Sequence, residues 1–255
     1  MRLNEIKASL PDLKRTSDSK HFWVRFFVRP LSFPTTWLLL KLGLSANQVT
    51  FASIAMSGAA GWLYSQGGYT QFIIAAGLSH GALLADSVDG NMARATRTSG
   101  PLGWMLDTVA ADLFYIAFFI PIGIGVMNSP DYEPLIGDAA WQFLGLGVMA
   151  SVSVLFYRLF RYRVHEATAQ ITGAGSAEDA TDATDSAPEA SKSFLRRAFP
   201  IVYGNIVPPT GTVLPVVTVM AALGLMDYFI WIYGIGIAAT VTTVTAYQLW
   251  RVTTR

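Results

Sequence analysis

The stretch LGWMLDTVAADLFYIAFFIPIGIGVM, residues 102–127, decides how the rest of the chain is interpreted. It exceeds the ~20 residues that a helix needs to cross a bilayer, and its only charges are the carboxylates of Asp107 and Asp112. Such a stretch predicts a transmembrane helix. Because a carboxylate at membrane depth is costly to insert, the two aspartates predict a functional role for one end of this helix.

Further stretches of similar character lie on both sides of it, near residues 48–66, 70–88, 139–157, 209–226 and 228–250. The whole chain is 52% hydrophobic and 14% charged, whereas soluble proteins are about one quarter charged. We therefore predict an all-α integral membrane protein whose six transmembrane helices form a catalytic domain over residues 48–255. The net charge of +1 argues against a nucleic-acid partner, and the absence of cysteine excludes disulfides and thiolate metal sites.

The first 47 residues have a different pattern. Aromatic and cationic residues alternate over residues 20–29, KHFWVRFFVR, and this mixture is typical of a helix that lies in the headgroup layer. The apolar run over residues 34–44 is too short to cross the bilayer alone. Residues 1–47 are therefore predicted to be a cytoplasmic segment with an amphipathic interfacial helix.

The lysines and arginines predict the orientation of the chain. All 18 fall on one side of a six-span arrangement, and the loop over residues 128–138 carries only acids. Because cytoplasmic loops are enriched in cations, both termini and the ends of the spans that hold the aspartates are assigned to the cytoplasm. Residues 165–195 are rich in Ala, Thr, Ser, Asp and Glu without a helical stripe, and we predict a flexible cytoplasmic loop there.

Four carboxylates gather at this side of the membrane. Asp86 and Asp89 end the second predicted span, while Asp107 and Asp112 begin the third, so the two pairs are expected to face each other. Facing carboxylates repel unless a cation neutralises them, and hard oxygen ligands select Mg²⁺ or Mn²⁺. Two such ions could clamp a phosphoryl group, with a spare carboxylate as general base.

Small residues accompany these aspartates. On a helix, Gly90, Ala93 and Arg94 share one face with the two aspartates of the second span, and Gly103 lies one turn before Asp107. Small side chains allow a ligand or a neighbouring helix to approach the backbone closely. Both interpretations remain open for Ala93.

The complete pattern resembles the signature of the CDP-alcohol phosphotransferase (CDP-alcohol phosphatidyltransferase) family. It reads Asp86-x-x-Asp89-Gly90-x-x-Ala93-Arg94, then eight residues to Gly103 and three more to Asp107. The run LSANQVT, residues 44–50, is similar to the family's usual entry into the first span. Outside residues 44–112 the resemblance is one of topology.

The resemblance implies metal-dependent transfer of a substituted phosphate group from a CDP-linked donor to the hydroxyl of an alcohol or lipid acceptor, with release of CMP, in phospholipid biosynthesis. It also implies the roles of individual residues. The metal ligands would be Asp86, Asp89 and Asp107, and the substrate-binding residues Asn47, Thr50, Gly90, Ala93, Arg94 and Gly103.

The chain departs from the family pattern at one position. The family has a further aspartate four residues after Asp107, as a ligand or as the base for the acceptor hydroxyl, but this chain has Ala111. Asp112 follows directly, yet on a regular helix it lies roughly 140° from Asp107 rather than ~40°. Three explanations compete: a π-bulge that turns Asp112 into the site, altered native chemistry, or an inactivating substitution at position 111, which we favour.

The sequence also permits a second function class and indicates possible binding partners. A cation-coupled membrane transporter also places acids in membrane helices, but would hold them near the midplane. Arg158 and Arg161 could bind an acceptor phosphate, although cations at a span end also follow from topology. A membrane-embedded site favours a lipidic substrate, and small residues on a large apolar surface permit a homodimer.

Overall fold

The computed structural model describes residues 2–134, 136–137, 139–172, 205 and 209–253. Every regular element within these ranges is helical, which confirms the predicted all-α class. The greater part of the predicted loop over residues 165–195 lies outside the described residues. Its first residues belong to a helix, because the helix that begins at Trp141 continues to Thr172.

The N-terminal segment is a series of short helices. Helix α1 spans Leu3–Ala8, α2 spans Asp12–Ser19, and a π-helical turn over Val24–Val28 leads into α3, Arg29–Lys41. Residues 20 and 21 form a turn and a bend, while residues 22–29 of the expected helix are helical and continue into α3. Its location at a membrane surface stays a prediction.

Six helices follow. They are α4 (Ala46–Gln66), α5 (Tyr69–Thr96), α6 (Pro101–Asn128), α7 (Trp141–Thr172), α8 (Leu214–Leu223) and α9 (Met226–Thr253). Local sequence sets several of their ends. The Ser45 side chain accepts a bond from the Gln48 backbone N–H, while Gln48 Oε1 accepts from Ser45 N at 2.9 Å, so a capping box opens α4. Gly224 ends α8 in the left-handed conformation that glycine adopts without strain.

Four of the described helices are long and apolar enough to cross a membrane: Tyr69–Thr96, Pro101–Asn128, Trp141–Val164 and Met226–Ala246. The chain is therefore a multi-pass integral membrane protein. The first and fifth predicted spans fall outside this class. Helix α4 carries polar side chains along its length, and the apolar helix over Gly211–Leu223 is short. The number of six spans stays a prediction.

The six helices α4 to α9 pack as a closed ring. Helix α4 contacts both α5 and α6, α6 contacts α7, α7 contacts α9, and α8 closes the ring between α9 and α5. Aromatic side chains fill the interior, with Tyr64, Phe118 and Phe229 all at most 1% exposed. The rings of Phe118 and Phe229 meet edge to face with centroids 6.3 Å apart, which joins α6 to α9.

Helices α4 and α6 cross with their backbones in direct contact. A Cβ atom on Gly125 would overlap the carbonyl oxygen of Tyr64, and one on Gly67 would lie 2.5 Å from the carbonyl oxygen of Gly125. Glycine is required here because the obstructing atoms belong to backbone and cannot rotate away.

Replacing Gly125 with alanine should lower the free energy of unfolding by about 1–3 kcal/mol, because the added methyl group forces the two backbones apart. Gly77→Ala is the matched control, since a Cβ on Gly77 meets no atom within 4 Å. The same substitution there should leave stability unchanged or raise it by up to ~1 kcal/mol. Thermal unfolding of both variants in detergent would measure the difference, and equal shifts would contradict the prediction.

Candidate active site

Three carboxylates from α5 and α6 lie together at the end where these helices join. The turn over residues 97–100 connects the helices, and Arg97 reverses the chain with a positive φ of 56°. The carboxyl groups of Asp86 and Asp107 lie close enough to interact electrostatically. Asp89 lies close enough to interact electrostatically with both of them. The structure thus brings together the three residues that the sequence pairs across two helices.

Asp89 is held by α4. It is 5% exposed, and its Oδ2 accepts a hydrogen bond of 2.5 Å from the Oγ1 of Thr50, which is 7% exposed. The hydroxyl proton of Thr50 is directed to this carboxylate because the alternative acceptor, the carbonyl oxygen of Ala46, is 3.2 Å away. Thr50 therefore orients Asp89, whereas Asn47, in the first turn of the same helix, is exposed.

Arg94 lies against the backbone of α5, one turn after Gly90. A Cβ on Gly90 would lie 3.2 Å from Arg94 Nη1, so glycine leaves room for the guanidinium group. The Nε of Arg94 is buried and has no hydrogen-bond partner among the described residues. Arg94 interacts electrostatically with Asp89 and Asp107. An unused donor beside carboxylates suits an anionic oxygen of a ligand.

Position 111 lies within regular α-helix, because α6 is α-helical throughout Pro101–Asn128 and has no π-bulge there. Asp112 is turned toward α7, where its Oδ1 accepts a hydrogen bond of 2.6 Å from Arg158 Nε. Arg158 also lies over the ring of Tyr115, 5.6 Å from its centroid. This ion pair with Arg158 therefore keeps the Asp112 side chain away from the other three aspartates.

The remaining predicted residues are more open. Arg161 is exposed and lies 6.0 Å from the centroid of the Tyr157 ring. Gly103 is exposed, and a Cβ there would meet no atom within 4 Å. Ala93 is partly buried. Of the two arginines proposed for an acceptor phosphate, Arg158 forms an ion pair with a carboxylate, that of Asp112, among the described residues.

The three carboxylates do not form a closed metal cage. In the part of the chain that the structure describes, no three acidic or histidine side chains converge closely enough to hold a metal ion as placed. Asp89 accepts a hydrogen bond from Thr50, and Asp86 and Asp107 lie close enough for like charges on them to repel each other. A divalent ion bound between them would neutralise that repulsion. The donor chemistry therefore fits Mg²⁺ or Mn²⁺, which take few carboxylates together with water and phosphate oxygens.

The sequence pattern does not predict the polar network behind Arg94. Asn91 is 1% exposed, and its side chain joins Arg94 to Arg29 of α3. An asparagine inside the motif was the only sequence signal, since its partners lie some 60 residues earlier in the chain.

Comparison with known protein families gives a match over most of the chain. A family model described as CDP-alcohol phosphatidyltransferase matches residues 44–245, which is most of the chain. The match begins just before α4 and includes all three carboxylates, Arg94 and Ala111. No curated protein sequence matches the chain.

Proposed function

Because the chain belongs to the CDP-alcohol phosphatidyltransferase family, we propose that it acts on a CDP-linked donor, transferring a substituted phosphate group to an acceptor hydroxyl. The acceptor oxygen forms a bond to the phosphorus that carries the alcohol. The bond from that phosphorus to the oxygen of CMP breaks, CMP leaves with the electron pair, and the hydroxyl proton passes to a base. The observation that carries this proposal is the group of three carboxylates inside the matched region.

We further propose that Asp86, Asp89 and Asp107 hold Mg²⁺ or Mn²⁺, with two ions in the complete site. Ions of this kind neutralise charge on the donor's diphosphate. The support is the chemistry of the donor set, which is three mutually interacting carboxylates on two helices. Arg94 would donate its free Nε–H to a phosphate oxygen of the donor, and Gly90 and Ala93 would line the nucleotide site.

Position 111 limits the rate in this proposal. Alanine has no group that can accept the acceptor's proton, and Asp112 is engaged with Arg158 at 2.6 Å. The chain therefore binds its donor and turns it over slowly. Arg158 and Arg161 remain candidates for an acceptor phosphate, which would compete with Asp112 for Arg158.

The test is CMP release from purified protein in lipid nanodiscs. CDP-diacylglycerol and a soluble CDP-alcohol serve as donors, with a panel of alcohols and sugar phosphates as acceptors, each with Mg²⁺ or with EDTA. Donor-dependent, Mg²⁺-dependent CMP release, slow in this chain and faster in its Ala111→Asp version, is expected. No CMP release from any donor in either version would overturn the proposal, and the family match does not favour the transporter alternative.

Thr50 provides a specific prediction. Thr50→Val keeps the shape of the side chain but removes the donor to Asp89, so we expect the concentration of Mg²⁺ that gives half-maximal activity to rise about tenfold or more. Thr50→Ser keeps the hydroxyl and should stay near the parent value. A Mg²⁺ titration of CMP release in the Ala111→Asp background measures both, and equal values for Val and Ser would contradict the role.

A further inference from the structure

The side-chain amide of Asn91 uses all of its hydrogen-bonding capacity. Its Oδ1 accepts from Arg94 Nη2 at 2.8 Å and from Arg29 Nη1 at 3.1 Å. Its Nδ2 donates to Ser32 Oγ at 3.1 Å and to Thr36 Oγ1 at 3.4 Å. A buried asparagine with two donors and two acceptor positions filled has one orientation.

The hydroxyls of α3 fix that orientation. Ser32 Oγ donates to the carbonyl oxygen of Arg29 at 3.0 Å, and Thr36 Oγ1 donates to that of Ser32 at 2.7 Å. Each hydroxyl has one proton, so toward Asn91 both can only accept. The NH₂ group must therefore face α3, and the carbonyl oxygen must face the two guanidinium groups.

The charges around the oxygen are balanced by the N-terminal segment. Arg29 Nε donates to Asp18 Oδ2 at 2.5 Å, and both residues are only 9% exposed. Two arginines that share one oxygen repel each other, and the Asp18 carboxylate neutralises one of them. Asp18 and Arg29 precede the residues that the family model matches.

We propose that Asn91, held by α3, is a positioning residue that aims the guanidinium group of Arg94 at the donor's phosphates. This inference rests on the proposed function. It makes the N-terminal segment part of the binding site. Truncation of the Asn91 side chain should weaken the affinity for a diphosphate without affecting the affinity for the nucleoside.

The substitution Asn91→Leu isolates this role. In that variant Arg29 keeps Asp18, and Ser32 and Thr36 keep their bonds to backbone carbonyls. Arg94 loses its 2.8 Å hydrogen bond to Asn91, and Arg29 loses its longer bond of 3.1 Å but keeps the carboxylate of Asp18. Leucine has the branched shape of asparagine but no hydrogen-bonding groups, so the variant chiefly disturbs the guanidinium group of Arg94.

The experiment is a double-mutant cycle on the full chain in detergent with Mg²⁺. Isothermal titration calorimetry gives the Kd for CDP and for cytidine in the parent, Asn91→Leu, Arg94→Ala and the double variant. We expect each single variant to raise the Kd for CDP about tenfold, the effect of one charge-assisted hydrogen bond. The double variant should match Arg94→Ala, because residues that act as a unit are not additive. The Kd for cytidine should stay constant throughout.

Ser32→Ala combined with Thr36→Val is the second route if Asn91→Leu does not fold. It leaves the NH₂ group of Asn91 without acceptors and should also weaken binding of CDP several-fold. Thr35→Val is the matched control, because Thr35 donates only to the Leu31 carbonyl oxygen of its own helix.

Additive effects in the cycle, or an equal loss of cytidine binding, would overturn the positioning role. Unchanged CDP binding in Arg94→Ala, together with Mg²⁺-dependent CMP release, would overturn this inference and leave the proposed function intact. Absence of both CDP binding and CMP release in the parent and in its Ala111→Asp version would instead reject the proposed function.

Discussion

Replacing Ala111 with aspartate is expected to accelerate CMP release by about 10²–10⁴-fold, the usual contribution of a positioned general base. Residue 111 lies one turn after Asp107 on a regular helix, so a carboxylate there would lie on the same face as Asp107. Asp112 cannot replace it without breaking the 2.6 Å ion pair with Arg158.

The matched control for this prediction is Ala111→Asn, which has nearly the same shape as aspartate but cannot take up a proton at neutral pH. Single-turnover assays with CDP-diacylglycerol should separate the two variants, with asparagine close to the parent. Equal rates for the parent, the aspartate variant and the asparagine variant would show that position 111 does not supply the base.

Replacing Asp107 with asparagine should lower CMP release in the Ala111→Asp background by about 10³-fold, corresponding to ~4 kcal/mol of lost charge stabilisation in the transition state. Asparagine keeps the shape of the side chain but removes the negative charge that we propose binds metal. The residual rate should be the same in EDTA-treated protein and in protein saturated with Mg²⁺.

Glu133→Gln serves as the control, because Glu133 is an exposed acid in the loop after the other end of α6. It should keep both the rate and the Mg²⁺ response of the background. If Asp107→Asn kept them as well, the proposed role of Asp107 as a metal ligand would be wrong.

Apolar length predicts the helices of this protein well, because a bilayer requires long runs of apolar residues with their backbone hydrogen bonds made internally. The span expected near residues 102–127 is α6, Pro101–Asn128, and that near 228–250 is α9, Met226–Thr253. The same criterion fails for the N-terminal segment. Its helices are short and depend on contacts such as that of Arg29 with Asp18, which have no periodic signal.

The carboxylate group could be inferred because two spans joined by a short turn must bring their ends together. Asp86 and Asp107 therefore meet, as their places in the sequence suggest. The partners Thr50 and Asn91 could not be assigned from spacing. Thr50 contacts Asp89 from a third helix, and Asn91 is held by α3, so both contacts depend on how α3 and α4 pack onto α5.

Helix α6 connects the close contact with α4 to the carboxylate group. Gly125, at the crossing, and Asp107, in the carboxylate group, lie on the same helix ~27 Å apart at 1.5 Å per residue. A rotation of α6 by about 5° about Gly125 would move Asp107 by ~2 Å, which is the length of one metal–oxygen bond. A methyl group added at Gly125 would then disturb the proposed metal site at the other end of the helix as well as the stability of the fold.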